Sequence, residues 1–206
     1  LPGTYSLSPK SIDEEIARDV LLHHLSDEVP RPDIVVIVVD ASNLERNLFY
    51  ATQVIELGHP IVLALNMTDV AQALGQEINT TALEKELGVP VVTLVANRGK
   101  GIDELRNRIT ETFHGKRKAA SSIFANLPNK FQVEIDKLAA RLKGNGISPK
   151  AEALLLLTDR KYLAGNEEHY PKDLPQQIES ARERLNVANI KWRTIAIEAR
   201  YSKLSE

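Results

Sequence analysis

Cysteine is absent from the 206 residues. That excludes disulfides, thiolate metal sites and thiol nucleophiles, and is compatible with a reducing compartment. No apolar run approaches the roughly 20 residues a bilayer helix requires, so this stretch reads as soluble. An excess of either charge is lacking as well: 26 Lys and Arg stand against 28 Asp and Glu, a net charge of -2, with the signs interspersed. A basic face that would hold nucleic acid through its phosphates is therefore not evident. The opening Leu1-Pro2-Gly3 has neither an initiator Met nor a signal-peptide pattern, and the expectation is a fragment. The histidines, at 23, 24, 59, 114 and 169, show no spacing suited to a metal site.

What is present is a hydrophobic fraction of 43%, enough for one ordinary core or two small ones. Residues 33–40, Asp-Ile-Val-Val-Ile-Val-Val-Asp, form a short β-branched run of the kind found in a strand covered on both faces. Similar runs occupy 60–65 and 90–95, and stretches with helical spacing at 44–57 and 81–87 separate the three. The order predicts a βαβαβ unit with a parallel sheet, followed by a helix from 101 or 102 to 113. An earlier helix, 12–25, is predicted from Ser11 as N-cap with Glu14 three residues on.

After Phe113 the texture changes, and the polar stretch 114–122 marks the predicted boundary of an all-α part. Phe131, Ile135, Leu138 and Leu142 recur at helical spacing. Ser148 and Pro149 predict the start of a second helix, as N-cap and first helical residue. A third is expected at 175–185. The stretch 190–204 offers Ile190, Ile195, Ala199 and Tyr201 as inward positions, so a small helical bundle is predicted. Trp192 reads as a packing anchor, and Asp40 as a turn former at a strand end.

Asn66-Met67-Thr68-Asp69 directly follows the second strand, and ligands of open parallel sheets bind outside the carboxyl ends of the strands. Alone, N-x-x-D is common and reads as a helix N-cap. At this place it fits guanine, because the Asp69 carboxylate can accept from both the ring N–H and the exocyclic amine, which adenine cannot supply together. Asn66 would brace the neighbouring loops with an amide that both donates and accepts. About thirty residues later, after the third strand, the tight turn around Ala96-Asn97-Arg98-Gly99-Lys100-Gly101 could present backbone N–H groups to the base carbonyl. Leu1-Pro2-Gly3 resembles the tail of a D-x-x-G motif, in which a glycine N–H meets a γ-phosphate.

Residues 40–48 and 65–69, with Leu1-Pro2-Gly3-Thr4-Tyr5-Ser6-Leu7-Ser8, Ile16-Ala17-Arg18-Asp19, the 98–102 loop and Glu198-Ala199-Arg200-Tyr201, resemble the ferrous iron transport protein B (FeoB) family. The similarity covers essentially the whole chain, and N-M-x-D in place of N-K-x-D is characteristic of that family. It implies a P-loop GTPase-like α/β G domain, from the second switch onward, over 1–118, and a helical, GDI-like regulatory domain over 119–206 leading to a membrane part. The implied cofactors are GTP and GDP, Mg2+ and a monovalent cation. The implied partners are guanine nucleotide, the protein's own transmembrane domain, a second copy of the chain and small accessory Feo proteins, at the cytoplasmic face of the bacterial inner membrane. Leu1, Pro2, Gly3, Asn66, Met67, Thr68, Asp69, Ala96, Asn97 and Arg98 are the expected nucleotide contacts. No catalytic or metal-ligating residue is assigned. The segment from Thr4 to about Leu22 would be the moving second switch.

The family's Gly-rich phosphate loop, first switch and the Asp before Leu1 are not in the sequence. Weak or absent GTP binding by these residues alone is the expectation, since consecutive backbone N–H groups supply much of the triphosphate affinity. No Gln follows Gly3 to position water, so slow hydrolysis is expected. Ala96 stands where related loops often carry Ser. Two other readings stay open: a scaffold with vestigial motifs, and a ribosome-associated GTPase, which would call for a basic RNA-binding appendage.

Overall fold

The structure, a computed structural model, describes residues 6–8, 11–22, 30–115, 123–142, 146–163, 167 and 170–205. A three-stranded parallel sheet lies at one end, in the order β1 (Val35–Asp40), β2 (Ile61–Asn66), β3 (Val91–Thr93). Val39 pairs with Leu65, and Leu65 in turn with Thr93, so the strand ends that precede the N-x-x-D and Gly-rich loops lie side by side. Helix α1 (Ile12–Leu22) precedes the sheet, and α2 (Leu44–Glu56) links β1 to β2. The short α3 (Thr68–Ala73) and α4 (Thr80–Leu87) link β2 to β3, while α5 (Ile102–His114) follows β3. The remaining helices are α6 (Asn129–Ala139), α7 (Pro149–Thr158), α8 (Leu174–Val187) and α9 (Ile195–Leu204).

The predicted alternation of strands and helices is present, with local differences. Helix α1 keeps its Ser11 cap, whose Oγ accepts the Glu14 N–H at 3.3 Å, but is described only to Leu22. Ser148 caps α7 through the Ala151 N–H, with Pro149 at the first helical position. The last helix starts at Ile195 rather than 190, after a turn at 192–194. Ile190, Ile195 and Ala199 pack against the core as expected; Ala196 and Arg200 on α9 are buried as well, while Tyr201 is 42% exposed and stacks on the Phe49 ring at 4.7 Å. Coverage of β1 on both faces is also corrected: β2 is buried from Ile61 to Leu65, yet Val38 is 63% exposed. Val62, Ala64, Val92 and Leu94 on that side of the sheet pack under Ile102, Leu105 and Ile109 of α5, which does not extend over Val38.

The opposite side of the sheet shares one continuous core with the helical half. Leu63, Leu65 and Leu57 belong to the same buried cluster as Phe131, Ile135, Leu156 and Leu157. Helix α7 is buried on all sides from Ala151 to Leu157, the position of a central bundle helix.

Polar links also cross between the halves. The Ser148 N–H donates to the Leu57 carbonyl at 2.7 Å. Arg200 donates to Glu56 Oε2 at 2.7 Å and to Thr52 Oγ1 at 2.8 Å, while Glu56 Oε1 accepts the Phe124 N–H at 2.6 Å. The Glu56 and Arg200 side chains are 4% and 3% exposed. This pair was missed by reasoning from sequence, although Arg200 lies in a stretch used for the resemblance. No helix among the described residues is long and apolar enough to cross a membrane.

Candidate functional site

At the carboxyl end of β1, Asp40 turns the chain into α2. Its carboxylate accepts from the Ser42 N–H at 2.8 Å, the Ser42 hydroxyl at 2.7 Å and Asn43 Nδ2 at 3.0 Å. Burial raises its pKa, but the Asn43 and Ser42 hydrogen bonds together outweigh that and leave it below the ordinary value. Asp40 is thus a local cap, the strand-end role expected of it.

At the end of β2 the chain folds back sharply. Met67 adopts the left-handed conformation, φ 60° and ψ 32°, which is uncommon for a residue with a side chain. The kink is stabilised from β3, since the Thr68 hydroxyl and N–H both donate to the Leu94 carbonyl, at 3.0 and 3.4 Å. Helix α3 begins there. It went unpredicted because six residues carry too little periodicity to signal a helix.

Asn66 spans the two loops. Its Oδ1 accepts the Ala96 N–H at 3.1 Å, and its Nδ2 has no hydrogen-bond partner among the described residues. The Ala96 N–H, one of the backbone donors of this loop, is thus directed to Asn66. Asp69 Oδ1 accepts the Val70 N–H at 3.0 Å, and Oδ2 lies 3.7 Å from the Arg98 guanidinium. The Asp69 and Arg98 side chains are 30% and 72% exposed, so this ion pair is worth little in water. Asn97 is exposed at the outer rim of the same loop.

The Gly-rich loop owes its shape to backbone freedom. Val95 and Lys100 exchange backbone hydrogen bonds at 3.1 and 3.2 Å, closing a narrow turn. Gly101 has φ +83°, and a Cβ there would lie 2.2 Å from the Thr93 carbonyl oxygen. Only glycine fits that passage from β3 into α5.

Asn66, Met67, Thr68, Asp69, Ala96, Asn97 and Arg98 are thus brought to one edge of the sheet. Leu1, Pro2 and Gly3, and with them the expected γ-phosphate contact, lie outside the described residues. So do His23, His24 and His169. Among the described residues no group of three or more His, Asp or Glu could hold a metal ion.

Residues 1–109 match the sequence model of the family described as ferrous iron transport protein B. The chain belongs to this family. Among FeoB relatives, the Fe(2+) transport protein A/Fe(2+) transporter FeoB fusion protein of Porphyromonas gingivalis is 39% identical over 142 residues, 69% of this chain and 16% of that protein. The Fe(2+) transporter FeoB of Salmonella typhimurium is 47% identical over 110 residues, 52% of this chain and 14% of that protein. The chain therefore spans less than a fifth of the length of either relative. Among solved structures, NFeoB from S. thermophilus bound to mGMPPNP superposes with a TM-score of 0.82 at 32% identity, covering 100% of this chain and 75% of that one. The same protein bound to GDP, AlF4- and K+ gives 0.79 at 30% identity, covering 100% and 77%. The α/β fold with its parallel sheet is that of the FeoB G-domain structures.

Proposed function

We propose that this chain is the base-reading and regulatory portion of the cytosolic GTPase of a bacterial ferrous iron transporter, controlling iron uptake from the cytoplasmic face of the inner membrane. One observation carries it: the Asn66 hydrogen bond to Ala96 ties the two strand-end loops together beside the partly exposed carboxylate of Asp69. A guanine ring entering there would displace Arg98 from Asp69 and offer that carboxylate its N1–H and exocyclic amine. Thr68 holds the kink that aims Asp69, while Asn97 and Arg98 form the outer wall.

The nucleotide-bound states named for the S. thermophilus neighbours support GTP and GDP as ligands, and the K+ of one supports a monovalent cation. Gly3 is assigned to the γ-phosphate and the stretch from Thr4 to Leu22 to the second switch. None of the 206 residues forms a G-x-x-x-x-G-K-[ST] loop, so the phosphate contacts other than that of Gly3, and Mg2+, are assigned to other residues of the full protein. Residues 1–118 are read as the G-domain part and 119–206 as a regulatory helical part joining it to a transmembrane domain. A second copy of the chain and small Feo proteins are its proposed partners.

The test is base selectivity in the full-length protein. Fluorescent GDP is expected to bind and fluorescent ADP not to. Asp69→Asn is expected to weaken GDP by roughly 10- to 100-fold, the scale of losing hydrogen bonds to a charged acceptor, and to favour XDP. Equal affinity for GDP and ADP would point to a scaffold instead, and an unchanged GDP preference in the variant would remove Asp69 from the site.

A further inference from the structure

At the junction of α8 and α9, far along the chain from the loops, the sole tryptophan is surrounded by cations. Trp192 is 6% exposed, and the guanidinium carbons of Arg182, Arg193 and Arg160 lie 4.6, 4.9 and 5.6 Å from its ring centroid. Arg182 has a structural task. It is buried, donates to the carbonyls of Leu156 and Leu157 at the end of α7, and pairs with Glu179. Arg160 and Arg193 are exposed and lean on the ring from outside.

An open hollow of about 400 Å³ lies over this ring, lined by Arg160, Asn186, Lys191, Trp192, Arg193 and Thr194. Among the described residues, no carboxylate lines it. Glu179 reaches Arg160 only at 3.8 Å while also serving Arg182, and Lys191 and Arg193 have no carboxylate partner among the described residues. Thr194, the N-cap of α9, makes no side-chain bond to its own helix, so its hydroxyl is available. Among the described residues, the three guanidinium groups at the indole and Lys191 beside them share a single acid, an arrangement whose mutual repulsion a bound anion relieves.

We propose that the Trp192 hollow is a binding site for a phosphate-bearing anion, held by Arg160, Lys191 and Arg193 with Asn186 and Thr194 as neutral donors. Two guanidinium forks and an ammonium match the several oxygens of a phosphate better than the two of a carboxylate. The same chemistry is offered by free phosphate and by an anionic lipid headgroup, for which an aromatic ring set among basic side chains is also suited. This site is independent of the guanine reading.

Trp192 itself provides the measurement in the 206-residue chain, because displacing Arg160 or Arg193 from its ring changes the emission of the one indole among these residues. Inorganic phosphate, phosphatidylglycerol vesicles and phosphatidylcholine vesicles are titrated into the protein, with calorimetry as a second readout. A saturable response to phosphate identifies a site open to the free anion. A response to phosphatidylglycerol vesicles alone identifies the headgroup as the source. Arg160→Gln with Arg193→Gln, or Lys191→Gln if that pair unfolds, is expected to raise half-saturation about tenfold, and Lys130→Gln, at an exposed position of α6, to leave it unchanged. No saturable response by either readout overturns the proposal. So does a response that the hollow variants leave intact, that phosphatidylcholine matches, or that Lys130→Gln weakens equally.

Discussion

Asn66 and Asp69 illustrate how little of a polar residue's role is contained in its own bond energy. Each makes hydrogen bonds of ordinary length, and the ion pair between Asp69 and Arg98 is exposed. What matters is where the remaining donors and acceptors are left pointing. Asn66→Ala removes the acceptor of the Ala96 N–H and loosens one loop from the other, so GDP affinity of the full-length protein is expected to fall about tenfold with little change in melting temperature. His59 gives a separate prediction at this scale. Its Nε2 lies 2.8 Å from the Leu21 carbonyl, which can only accept, so that nitrogen carries hydrogen. Burial lowers the His59 pKa from 6.5, more than the hydrogen bond to Leu21 raises it. With the folded value depressed, the unfolded chain binds the extra proton first. Stability is therefore complete above about pH 6.5 and declines as the pH falls below it. Urea unfolding between neutral and mildly acidic pH is expected to show this decline, and His59→Gln to flatten it.

Among the elements, the turn from β3 into α5 shows backbone geometry overriding side-chain chemistry. Gly101→Ala would place a methyl group 2.2 Å from the Thr93 carbonyl at a φ of +83°. A loss of more than about 1 kcal/mol in urea unfolding is expected, together with weaker guanine selectivity, because Ala96 to Arg98 hang on the same loop. A melting curve unchanged by the substitution would show that the passage has slack. Elements with strong periodicity were legible in sequence: β2, α2, α4 and α5 begin and end within a residue or so of expectation. Helix α3 was not, since Met67 enters it through a left-handed turn fixed by Leu94, the residue just past β3. The start of α9 was also misplaced. Residues between 190 and 195 are arranged around Trp192 by Arg160 and Arg182, which come from other segments.

Over the whole molecule, the sheet half and the helical half share apolar core and a buried ion pair. Glu56 and Arg200 are 144 residues apart in sequence, yet each supplies the other's counter-charge in a place water does not reach. Removing one partner strands the other, so Arg200→Met is expected to cost about 3–5 kcal/mol in urea unfolding. Glu56→Gln combined with Arg200→Met is expected to recover part of that loss, and simple additivity of the two single losses would show no coupling. The link runs from α2, which follows the Asp40 turn, into α9. A loss of nucleotide affinity in Arg200→Met at full folding would place that link on the route between the halves.

The sequence by itself determined the class of architecture, the family and the identity of the candidate base-reading residues. Those depend on local patterns: β-branched runs, helical spacing, caps, and polar residues at fixed offsets from strand ends. The tertiary structure alone decided that Asn66 meets Ala96, that Asp69 lies beside Arg98, that Val38 is left uncovered, and that Arg200 answers Glu56. Each is a contact or its absence between residues distant in the chain. Which side chains meet depends on strand register and on how the helices share one core, and neither is encoded in any short stretch of residues.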